Sequence, residues 1–89
     1  MPELSRFEGI IISMYFDDNQ KRHKPHIHAI YGDHEITIGL DGELLEGAFP
    51  KKKLLLLQSW MILHEDELYM AWNNAVRKLP IAKINPLTK

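Results

Sequence analysis

The apolar residues change period at Pro50, and no other feature constrains the fold as much. Before Pro50 they alternate with polar ones; after it they recur at spacings of three and four. Period two marks a strand with one buried face, and the three–four spacing marks an amphipathic helix. Strands followed by a helix predict an α+β domain in which the helix covers one face of an antiparallel sheet.

Four strands are predicted as an antiparallel meander, at residues 7–16, 26–31, 35–40 and 43–48. In the first, Ile10, Ile12, Met14 and Phe16 form an apolar set, and Ile11, Ser13 and Tyr15 a mixed one. In the second, Ile27, Ala29 and Tyr31 alternate with His26, His28 and Ile30. In the third, Ile36, Ile38 and Leu40 face inward. Gly32-Asp33 turns the chain, and Asp41-Gly42 predicts a type I′ hairpin. Pro50 suits the first position of a helix over residues 51–78, whose stripe is Leu57, Met61, His64, Leu68, Ala71 and Ala75, bordered by Trp60 and Trp72. Such a helix would be ~40 Å long against strands of ~20 Å. It must therefore kink, break near His64, or pack on a second copy. The acidic run Glu65-Asp66-Glu67 would suit a new helix N-terminus after a break. The tail, residues 79–89, carries Pro80 and Pro86 and is expected to be irregular.

With 89 residues, the chain is expected to be a single domain whose core is marginal alone, which makes a homodimer an expectation. Cysteine is absent, so no thiolate serves as ligand or nucleophile. No signal-peptide pattern or apolar run of ~20 residues is present, and a soluble, cytoplasmic protein is expected. A net charge of −1 argues against a strongly basic nucleic-acid binder. Two local basic clusters, Lys21, Arg22 and Lys24, and Lys51 to Lys53, could still meet a phosphate.

The feature most suggestive of function is His23-Lys24-Pro25-His26-Ile27-His28. On a strand, His26 and His28 leave the same side ~6.6 Å apart. Their side is the mixed one, so they are expected to look toward solvent, a groove or a partner. Three chemistries suit them. His23, His26 and His28 could hold zinc or another divalent transition metal, with water, Asp17 or Asp18 in the fourth position. His26 and His28 could instead act as metal-independent general base and acid of a ribonuclease. Lys21, Arg22 and Lys24 would then hold the phosphate, and Tyr15 would stack or donate a hydrogen bond. The first expectation, however, is an interaction face for a protein partner or RNA. His64 is read as a partly buried core histidine with one hydrogen bond, and His34 as a turn residue.

These residues carry a resemblance. Phe7-x-Gly9-Ile10, Met14-Tyr15-Phe16, His23-x-Pro25-His26-Ile27-His28-Ala29, Tyr31-Gly32, Asp41-Gly42-Glu43-Leu44-Leu45-x-Gly47, Pro50, Trp60, His64-x-x-x-Leu68, Trp72 and Lys83-Ile84-x-Pro86-Leu87 follow one another in order. Together they resemble the bacterial domain-of-unknown-function family 4160. The resemblance implies a small prokaryotic protein without an established activity, the H-x-P-H-x-H element as a hallmark, and genes lying beside another small protein. That arrangement suggests a toxin–antitoxin-like pair. The residue before the second tryptophan, often acidic or an amide in the family pattern, is Ala71 here.

Overall fold

A computed structural model describes residues 3–15 and 24–86 of the chain. Among them are five strands, β1 (Glu3–Phe7), β2 (Ile10–Ser13), β3 (His26–Tyr31), β4 (His34–Gly39) and β5 (Leu44–Gly47). Two helices follow, α1 (Lys51–Leu63) and α2 (Glu65–Val76). Each strand is antiparallel to its neighbour, and spatial order equals sequence order. The α+β class and the meander are as expected. The strand and helix counts are not.

The predicted strand at residues 7–16 is in fact parts of two strands. Glu8 and Gly9 have φ of 51° and 79°, and Phe7 pairs with Ile10 across them. Two left-handed residues in a two-residue loop are what a type I′ turn requires. Glutamate is unusual at its first position, so Gly9 was the only residue in the sequence to signal a turn. The hairpin adds β1 as an edge strand. Phe16 lies outside the described residues.

At Asp41-Gly42 the expected type I′ turn is replaced by a longer loop. Gly39 N–H donates to Glu43 O at 2.7 Å, and Gly42 N–H donates to Gly39 O at 2.8 Å. Of the three enclosed residues, Gly42 alone is left-handed, with φ of 95°. This is the three-residue hairpin that ends in a left-handed glycine.

The predicted helix is bent into two. His64, at φ −119° and ψ 28°, ends α1 and precedes α2. The hydrogen-bond ladder runs on through the bend, from His64 N–H to Trp60 O at 3.1 Å and from Leu68 N–H to His64 O at 2.9 Å. Glu65, Asp66 and Glu67 then occupy the first turn of α2, where carboxylates complement the positive end of the helix dipole. Pro50 caps α1 rather than opening it, with its carbonyl accepting from Leu54 N–H at 2.9 Å. Lys78, at φ 60°, lies beyond the end of α2.

Ile10, Ile12, Ile27, Ala29, Ile36 and Ile38 from the sheet bury against Leu57, Trp60, Met61, Leu68 and Ala75 from the helices. The Trp60 ring lies 5.5 Å from that of Phe7. The tail is fastened rather than loose. Ile84 N–H donates to Leu4 O at 2.8 Å, and Trp60 Nε1–H donates to Asn85 O at 2.7 Å. Among the described residues, no helix is long and apolar enough to cross a membrane.

Candidate functional site

Strand register places Ser13, His28, Thr37 and Glu46 in one row across β2 to β5. His28 is half-buried in that row. The Tyr15 ring meets it edge-on at 4.6 Å, and its Nδ1 lies 3.3 Å from Thr37 Oγ1. A shallow cavity of about 400 Å³ opens beside it, lined by His28, Glu35, Ile36, Thr37, Glu46 and Gly47. Its polar groups are thus an imidazole, a hydroxyl and two carboxylates, with Ile36 the apolar part of the wall.

His26 corrects an expectation. The sequence places it with His28 toward solvent, a groove or a partner, yet it is 1 % exposed. Its ring lies 5.1 Å from Trp72 and 5.4 Å from His28. Alternation says which side of a strand a residue leaves, not what covers it. His26 is the first residue of β3, and α2 brings Trp72 against it. Nothing in the sequence pattern pairs those two residues. The His26 Nδ1 is 2.8 Å from Lys24 O. A carbonyl oxygen only accepts, so Nδ1 carries the hydrogen, and in the neutral ring the lone pair lies on Nε2. Trp72, His26, His28 and Tyr15 form a continuous series of rings from α2 to the sheet face.

Lys24 corrects a second expectation. Its Nζ is 2.9 Å from Asp41 Oδ2 and also contacts the Glu43 carboxylate. The charge expected to meet an anion is already matched within the molecule. These hydrogen bonds, to Glu43 first and then Asp41, raise the Lys24 pKa above its ordinary value. Asp41 is held below its own, first by the Lys24 hydrogen bond and then by the Glu43 N–H, 3.0 Å from Oδ1. Gly39, opposite His26, makes room for this clamp. A Cβ there would lie 2.8 Å from Asp41 Oδ1 and 2.9 Å from Lys24 Cε. Sequence reasoning gave Asp41 and Glu43 to the turn and strand, and no local signal ties them to Lys24.

Asp17, Asp18, Lys21, Arg22 and His23 lie outside the described residues. Among the described residues, no three His, Cys, Asp or Glu side chains are grouped to hold a metal ion. His26 and His28 are the described part of the expected metal trio. His64 belongs to the helix bend, with Nδ1 2.6 Å from Glu67 Oε1 and its ring 5.5 Å from Trp60. His34 opens β4 and stacks on Tyr31 at 6.4 Å. In the second basic cluster, Lys53 Nζ donates to Glu8 O at 2.9 Å and sits 4.9 Å above the Tyr31 ring, while Lys51 and Lys52 are exposed.

Residues 9–73 match the sequence model of a family described as "Domain of unknown function (DUF4160)". The matched stretch begins in the β1–β2 turn and ends within α2. Comparison with curated proteins and with solved structures finds no match.

Proposed function

Because this chain belongs to the DUF4160 family, whose description carries no activity, we propose its function from the site itself: a small interaction module that takes a protein partner on the sheet face around His28. The setting of His28 carries the reading. It is half-buried between Tyr15 and Thr37, beside a cavity of about 400 Å³. An imidazole, a hydroxyl and carboxylates along a shallow depression suit polar side chains of a protein. Glu35 and Glu46 at the cavity disfavour the phosphates of an RNA. A ribonuclease-type acid and base pair would need both imidazoles at the substrate, whereas His26 is enclosed by the core. The partner we name is the small protein encoded beside such genes, in a toxin–antitoxin-like arrangement.

The test is calorimetric titration of the purified neighbouring protein into this one and into its His28→Ala and Thr37→Val variants. Binding weakened about tenfold or more by each substitution is expected, with unchanged circular dichroism. Equal binding by all three proteins would remove this face from the interaction. Binding of RNA in place of protein would overturn the choice of partner.

One observation favours a second reading. A metal-ligating histidine commonly donates its other ring N–H to a backbone carbonyl, as His26 Nδ1–H does to Lys24 O. Metal analysis of untagged protein and of His26→Ala/His28→Ala tests it. Stoichiometric zinc or nickel that the double variant loses would support it.

A further inference from the structure

α1 carries large apolar residues on its outer side as well as on the side that meets the sheet. Leu57, Trp60 and Met61 are buried, yet Leu55, Ile62 and Leu63 on the outer side are 53 %, 76 % and 69 % exposed. A helix with large apolar residues on both sides needs more than the one partner its own sheet supplies.

The segment is also inverted about its centre. Exchanging positions about Ser59 exchanges Lys52 with Asp66, Lys51 with Glu67, Leu55 with Leu63 and Leu56 with Ile62. One end of the segment is Lys51-Lys52-Lys53, and the other is Glu65-Asp66-Glu67. On the outward side, Lys52, Leu55, Ser59 and Ile62 follow at spacings of three and four. Lys52, Leu55, Leu56 and Ser59 border one surface depression, and Ile62 and Glu65 border another.

We infer that α1 is a homodimer interface in which two copies pack antiparallel about a two-fold axis at Ser59. A two-fold axis brings the same patch of both subunits together, so the patch must be complementary to its own inversion. This one is. Lysines of each copy lie against carboxylates of the other, and leucines and isoleucine lie between. The two α1 dipoles oppose one another, and the small Ser59 side chain lets the helices approach at the axis. A parallel arrangement would set lysines against lysines. Lys53 and Glu67 already contact Glu8 O and His64, so Lys52 and Asp66, both exposed and exchanged by the inversion, set the direction, with the exposed Lys51 and Glu65 beside them.

The chain has no cysteine, so a single introduced one reports the axis. Under mild oxidation Ser59→Cys is expected to form a disulfide-linked dimer much faster than Asn73→Cys, which places the thiol on the exposed side of α2. In sedimentation equilibrium, wild type is expected to dimerise with a salt-weakened constant. Lys51→Glu/Lys52→Glu is expected to weaken it at least tenfold, and adding Glu65→Lys/Asp66→Lys to restore it. The first pair of changes improves the helix dipole, so lost dimer would not reflect a weakened helix. A monomer at every concentration, equal cross-linking of the two cysteine variants, or no restoration by the fourfold swap would each overturn the inference. So would a monomer whose Leu55→Ser/Ile62→Ser variant no longer binds the neighbouring protein, since the face would then be that partner's. His28→Ala is expected to dimerise as wild type does, so this inference and the proposed function can fail separately.

Discussion

At His26 the ring Nδ1–H is engaged by the Lys24 carbonyl, and the ring lies against those of Trp72 and His28. Removing that ring opens a hole in the core, and His26→Ala is expected to cost about 2–4 kcal/mol. His28→Ala removes a half-buried ring at a cavity mouth and is expected to cost less than about 1 kcal/mol. Urea denaturation of the two variants measures both; the reverse order would contradict the burial of His26. Spacing made the histidine pair legible in the sequence, because residues two apart share a side of a strand. Which of the pair was enclosed was not legible, because it depends on a tryptophan from a distant helix. The Lys24 clamp adds a pH prediction. Asp41 is held below its ordinary value of 3.8. Its contribution to stability is therefore complete above that value and is lost as pH falls through the lowered one. Lys24 is raised above its ordinary 10.5, so its contribution is complete below that value and lost as pH rises past the raised one. Denaturation midpoints should flatten across the acid range in Asp41→Asn, while most of the alkaline dependence stays because Glu43 still holds Lys24. The Asp41 side chain is exposed and that of Lys24 partly so, and water screens the pair, so the change is expected to be small.

Among the elements, β5 is held at the sheet edge by a backbone approach that only glycine permits. Gly47 has φ of 88°, and a Cβ there would lie 2.2 Å from Glu35 O. Gly42 has φ of 95° but open space around it. Gly42→Ala is therefore expected to cost about 1 kcal/mol from backbone strain alone. Gly47→Ala is expected to cost about 3 kcal/mol and to release β5. Thermal melts rank the two, and hydrogen exchange at Leu44 to Gly47 localises the loss. β3 and β4 were legible because their alternation is clean and Gly32 divides them. β1 was not, because residues 7–16 read as one strand across a turn made by Glu8-Gly9. The bend at His64 was legible only as a mismatch of lengths between helix and strand. The carboxylates of Glu65 to Glu67 showed where it could fall.

Across the whole molecule, the first strand and the tail are joined to each other. Ile84 N–H meets Leu4 O, and Asn85 O meets Trp60 Nε1–H. Deleting residues 81–89 would expose the pocket of Ile84 and leave the buried Trp60 donor unpaired. A loss of about 2–4 kcal/mol is expected, read by denaturant titration together with a red shift of tryptophan emission. The sequence showed Pro80 and Pro86 and gave no reason to fasten this segment, because its partners are a backbone carbonyl and an indole far away. The bond between Leu4 and Ile84 has a consequence for synthesis. It joins residues far apart in the sequence, so it can form only after residue 84 has been synthesised. On the ribosome, the sheet and helices can assemble while Trp60 still lacks its acceptor. The emergence of residues 84 and 85 then supplies the Ile84 N–H for Leu4 and the Asn85 carbonyl for Trp60.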